Sequence, residues 1–178
     1  MTVLETKRLI KRFDGVRAVD SLDLAIEKGV ITGVIGPNGS GKSTLVNVLT
    51  GMLPADSGVV AVEGVQLSRI AAADMPTYGI TRTFQEVRLF NQMSVLDNLL
   101  VVLTERNVFA SLFEQHRAWH VEKAKEILEA VGLGEKQNEL VEDLSYGQRK
   151  LLEIGRALAM NATILLLDEP FAGLSPAM

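Results

Sequence analysis

The sequence predicts an α/β fold built around a strand, a glycine-rich loop and a helix, with antiparallel β structure near the N-terminus and a helical block inserted later. Three observations carry this reading. A glycine-rich segment at 36–43 lies between an apolar run and a helical pattern. The texture changes near Asn91 from short β-branched runs to apolar residues at helical spacing. A short, bounded apolar run returns at Thr163–Leu167.

From Val3 to Val34, short apolar segments break at Asp14-Gly15 and Lys28-Gly29, as strands joined by tight turns do. Val30–Ile35 is expected to be the strand that feeds the glycine-rich segment, and Ser43–Leu49 the helix after it. Pro54-Ala-Asp-Ser-Gly58 reads as a turn, and Val59, Val60, Val62 and Val65 continue as strand because β-branched residues suit the pleated surface. Ser94 with Asp97 has the pattern of an N-cap and its acidic N3 partner, followed by Val95, Leu99 and Val102 at helical spacing. Ala118, Val121, Ala124, Leu128 and Val131 predict a second helix ended by Gly132 and Gly134. Helical patterning resumes at Gln148–Met160, and Thr163–Leu167 is expected to be a strand buried on both faces. The organisation expected is a core with an antiparallel β subdomain over 1–90, a helical subdomain over 91–147, and a return to the core over 148–178.

A chain of 178 residues is long enough to bury about 70% of its unfolded surface. With 47% hydrophobic and 22% charged residues it has the composition of a folded soluble domain, and aromatics at 5% leave the core mainly aliphatic. A net charge of −4 argues against broad attraction to nucleic acid. The absence of cysteine excludes disulfides and thiolate metal sites. Glu5, Lys7 and Arg8 keep the opening residues from resembling a secretory leader. Apolar runs such as Leu99–Leu103 fall far below the roughly 20 residues that span a bilayer, so a membrane role must come through a partner.

Gly36-Pro-Asn-Gly-Ser-Gly-Lys42-Ser43 fits the P-loop pattern G-x-x-x-x-G-K-[ST]. Its glycines let successive backbone N–H groups converge on phosphates, the following helix adds its dipole, Lys42 reaches the outer phosphates, and Ser43 can ligate Mg²⁺. Ile164-Leu-Leu-Leu-Asp168-Glu169 places two carboxylates at a strand end, where ligands of open parallel sheets gather. Asp168 suits Mg²⁺ held through water, and Glu169 suits the orientation or deprotonation of an attacking water, so the site is built for phosphoryl transfer to water. Leu144-Ser-Tyr-Gly-Gln148 puts Ser145 and Gly147 at a helix N-terminus. Two readings stay open there: an anion site, or a plain cap and turn.

GPNGSGKST, LSYGQ and ILLLDEP, in that order, resemble the ATP-binding cassette (ABC) family, with its P-loop, LSGGQ-like signature and Walker B strand. The signature departs from the family pattern at Tyr146 but keeps Ser145 and Gly147. The resemblance implies a P-loop NTPase core of ABC type, ATP and Mg²⁺ as ligands, and nucleotide contacts from Gly36, Asn38, Gly39, Ser40, Gly41, Lys42, Ser43 and Thr44. It implies catalysis by Glu169, Lys42 and Gln85, and metal contacts from Ser43, Gln85 and Asp168. Gln85 in Thr-Phe-Gln matches the Q-loop, which the family uses at the metal and at the border with the membrane domain. Phe13 is similar to the aromatic that stacks on adenine, with a core role as the alternative.

The same resemblance implies a head-to-tail dimer with an identical or different ABC ATPase subunit, in which Ser145 and Gly147 serve the partner's ATP. Thr81–Val101, the Tyr-Gly pair and Ala172-Gly-Leu-Ser-Pro176 are most similar to importers of branched-chain and other hydrophobic amino acids. Partners implied are membrane permease subunits and an extracytoplasmic solute-binding protein, with the chain peripheral on the cytoplasmic face of the inner membrane. A soluble ABC ATPase acting on ribosomes or DNA is the rival reading, and a non-catalytic nucleotide-binding fragment a third. Family members continue past the position of Met178 through further strands and helices and a histidine that contacts the γ-phosphate; neither His116 nor His120, both before the signature, fills that place. The resemblance therefore implies a C-terminally truncated core with an unpaired sheet edge, weak nucleotide binding and little turnover.

Overall fold

The computed structural model describes residues 1–67, 71–83, 88–103 and 117–170. The chain divides into two compact units, one formed by Met1–Thr81 with Ala162–Leu166, the other by Arg82–Asn161 with Leu167–Met178.

The first unit is dominated by a four-stranded antiparallel sheet of order β2-β1-β3-β4. β1 (Thr2–Phe13) and β2 (Val16–Glu27) form a long hairpin. Its two-residue turn is Asp14-Gly15, both at positive φ (44° and 89°), which matches the right-handed twist of the flanking strands. β3 (Ser57–Val62) joins the other edge of β1 and turns through Glu63-Gly64 into β4 (Val65–Leu67). Helix α1 (Lys42–Leu49) buries Leu45, Val48 and Leu49 in the same aliphatic core as Leu4, Leu9 and Val60. A 3₁₀ segment, Ala72–Tyr78, leads into β5 (Ile80–Arg82), which pairs with β6 (Ile164–Leu166) in a separate two-stranded sheet.

Two expectations are corrected here. Residues 30–35 form no strand; Val30, Ile31, Val34 and Ile35 are all exposed. A strand exists only through inter-strand hydrogen bonds, and no described residue pairs with this run, so apolar composition alone does not make it one. β6 is likewise not buried on both faces: Ile164 is buried, but Leu165 and Leu166 are half-buried and Leu167 is exposed. Among the described residues β5 is its only neighbour in the sheet.

The second unit is helical. Helices α2 (Val95–Leu103), α3 (Arg117–Ala130) and α4 (Tyr146–Ala159) enclose Val95, Leu99, Leu128, Leu133 and Leu152. The Ser94 hydroxyl accepts the Asp97 N–H at 3.0 Å and donates to the Asp97 carboxylate at 2.7 Å, so the expected cap of α2 forms. α3 ends in a Schellman arrangement: Leu133 N–H reaches Leu128 O at 2.8 Å, Gly132 N–H reaches Glu129 O at 3.0 Å, and Gly132 is left-handed. Buried Asn98 clamps Phe90, accepting its N–H and donating to its carbonyl, each at 3.0 Å.

Candidate functional site

In the first unit, the glycine-rich loop meets α1 at Gly41, which takes φ 92° as the N-cap. A Cβ at this position would collide with the carbonyl oxygen of Ala18 on β2, so only glycine lets the loop seat on the hairpin. Gly39 also adopts positive φ, 80°. Gly36, Asn38, Gly39 and Ser40 are exposed, as is Ser43, while Lys42 and Thr44 are half-buried at the start of α1. Lys42 Nζ donates to the carbonyls of Gly36 and Pro37, each at 2.9 Å, which tethers the ammonium to the loop. No acidic residue stands in the first turn of α1, so its dipole and the Lys42 charge together favour an anion.

Phe13 belongs to the same unit, at the end of β1. It is exposed, which rules out the core role, and the Lys11 ammonium stands 5.4 Å from its ring centre. Lys11 in turn pairs with Asp56 at 3.0 Å.

In the second unit, Asp168 is buried and Glu169 exposed. Asp168 N–H donates to the Thr83 hydroxyl at 3.4 Å, and its carboxylate meets Arg82 Nη2 at 3.5 Å. Burial pulls the Arg82 pKa down, and the Asp168 carboxylate opposes that shift. Glu169 sits at φ 48°, in the left-handed region that non-glycine residues seldom occupy and that functional residues more often do.

Ser145 and Gly147 open α4 in the same unit. The Ser145 hydroxyl accepts the Gln148 N–H at 3.3 Å and the Gln148 side chain accepts the Ser145 N–H at 2.9 Å, a complete capping box. Arg149 holds the preceding loop, donating to Leu144 O at 3.0 Å and Glu142 O at 2.7 Å. Exposed Tyr146 lies under buried Lys150, 5.9 Å from ammonium to ring centre. Gln85 and the run 172–176 lie outside the described residues.

Arg82 and Arg149, which support the candidate site residues, are not singled out by the sequence. Arg149 carries a faint signal, a basic residue close behind a capping box. Arg82 carries none, because its partner stands 86 residues away and meets it only once β5 and β6 pair.

A phosphate-type loop on an α/β core with an antiparallel hairpin beside it defines a nucleotide-binding P-loop protein. The ABC transporter family model matches residues 19–172, and the chain belongs to that family. The probable branched-chain amino acid transport ATP-binding protein LivG of Methanocaldococcus jannaschii is 41% identical over 100% of this chain and 72% of its own length. The high-affinity branched-chain amino acid transport ATP-binding protein BraF of Pseudomonas aeruginosa is 37% identical over 98% of this chain and 71% of its own. Among solved structures, the ADP conformation of an ATP-binding cassette of an ABC transporter superposes with a TM-score of 0.84, at 41% identity, covering 99% of this chain and 72% of that one.

Proposed function

We propose that this chain is the ATP-binding and hydrolysing subunit of an ABC importer of branched-chain or other hydrophobic amino acids. The observation that carries the reading is the loop at 36–43, with Gly41 seated on β2 and the Lys42 ammonium tethered at the N-terminus of a helix whose first turn holds no acidic residue. The names of the relatives support the cargo class.

Backbone N–H groups between Asn38 and Lys42, with the side chains of Asn38, Ser40, Ser43 and Thr44, bind and orient the triphosphate beside Gly36, and Lys42 counters charge on its outer phosphates. Phe13 offers an exposed ring for adenine. Among the described residues no cluster of three or more His, Asp or Glu could hold a metal unaided. The donors present, the Ser43 hydroxyl and the Asp168 carboxylate, are hard oxygens of the kind Mg²⁺ takes alongside substrate phosphates, with Gln85 as a further contact. Mg²⁺, when bound, supplies neutralisation of the developing phosphate charge. Glu169 takes the proton of the attacking water or orients it.

Ser145 and Gly147 present the N-terminus of α4 to the γ-phosphate held by a second ABC subunit, identical or different. Nucleotide-driven association of the two then moves permease subunits by its unequal affinity for their two states, with a solute-binding protein delivering cargo from outside. No described helix is long and apolar enough to cross a membrane, consistent with a peripheral position on the cytoplasmic face.

Titration with Mg²⁺-ATP tests the reading. Lys42→Ala is expected to weaken binding at least about tenfold, and Glu169→Gln to keep binding while phosphate release falls by about a hundredfold or more. Equal affinity in Lys42→Ala and the unaltered chain overturns it. Leucine uptake by cells expressing the chain with its permease, lost with Glu169→Gln, tests the cargo.

A further inference from the structure

Arg82 and Asp168 form an ion pair whose side chains are only 10% and 9% exposed. Arg82 is the last residue of β5, and Asp168 follows two residues after β6, so the pairing of these two strands brings the charges together. A buried carboxylate without a counter-charge is strongly unfavourable, and Asp168 has Arg82 beside it. Yet the closest approach, Nη2 to Oδ2, is 3.5 Å, well beyond the roughly 2.7–2.9 Å of a tight charge-assisted bond. The guanidinium is held partly by the adjoining backbone, with Nε donating to Thr83 O at 3.1 Å.

We propose that Arg82 is a positioning residue, the standing counter-ion of Asp168, which holds that carboxylate while no divalent cation neutralises it and yields it when a metal–nucleotide complex binds. The inference rests on the assignment of Asp168 to the metal. The loose 3.5 Å geometry suits an exchangeable pair rather than a permanent brace.

Thermal unfolding of the full chain tests this, measured in EDTA and again in saturating Mg²⁺ with ADP. In EDTA, Arg82→Gln is expected to lower Tm by roughly 5 °C or more, with Arg82→Lys recovering most of the loss. The Arg82→Gln/Asp168→Asn double variant, which buries neither charge of the pair, should unfold above Arg82→Gln alone. With Mg²⁺-ADP, Arg82→Gln should gain more in Tm than the unaltered chain gains, because the metal replaces the missing cation. Equal Tm for Arg82→Gln and the unaltered chain in EDTA overturns the proposal, as does a deficit that Mg²⁺-ADP leaves unchanged. If Arg82→Gln does not fold, the double variant must; failure of both overturns the proposal as well. An unaltered chain that shows no Tm rise with Mg²⁺-ADP removes the nucleotide reading, whereas a normal rise with no Arg82 effect removes only this one.

Discussion

At the scale of single residues, Gly41 and Asp56 carry the sharpest consequences. Gly41 combines φ 92° with a Cβ position already occupied by the Ala18 carbonyl, so alanine there must both adopt a strained backbone and push the loop off β2. Gly41→Ala is expected to lose about 1–3 kcal/mol of stability in denaturant unfolding and most of its Mg²⁺-ATP affinity, whereas Gly39→Ala, with open space around it, should lose less of both. Asp56 accepts the Arg12 N–H at 2.6 Å and the Lys11 ammonium at 3.0 Å, and these bonds, the first foremost, hold its pKa below the usual carboxylate range. A depressed folded-state pKa means that its contribution is complete above the ordinary carboxylate pKa and is lost as pH falls through the lower folded value. Asp56→Asn should therefore unfold at lower temperature than the unaltered chain near pH 7, and the two melting temperatures should converge as pH falls below the ordinary carboxylate range.

At the scale of elements, Ser145 serves two ends that can be separated. Its capping box stabilises α4, and Ser145→Ala is expected to lower stability by about 1 kcal/mol. Ser145→Asn, a comparable cap, should restore stability in thermal unfolding; if the hydroxyl also serves a partner's nucleotide, that variant stays stable yet loses ATP turnover. Local rules made such elements legible: Asp14-Gly15 turns a hairpin, Ser94 and Asp97 cap α2, and Gly132 closes α3, each through interactions within a few residues. The run at 30–35 has the same apolar texture as a core strand, yet strand formation depends on a neighbour that no local pattern specifies. For the same reason the P-loop glycines and the Asp168-Glu169 pair could be named from sequence, whereas the Arg82 counter-ion, set by strand pairing across 86 positions, could not.

At the scale of the whole molecule, each unit encloses its own aliphatic core, one around Leu4, Leu9 and Val48, the other around Leu99, Leu128 and Leu152. The phosphate loop belongs to the first, the signature helix and Asp168 to the second. Opening free energies within one chain follow such local cores rather than a single value. Leu128 is fully buried, and Leu128→Ala leaves a cavity expected to lose about 2–5 kcal/mol in the helical unit. Hydrogen exchange should then speed up at amides of α2, α3 and α4 while those of the β1–β2 hairpin keep their protection, and Leu9→Ala should give the reverse pattern. Equal acceleration in both units would mean that they open as one, and the division of the cores would then carry no energetic weight.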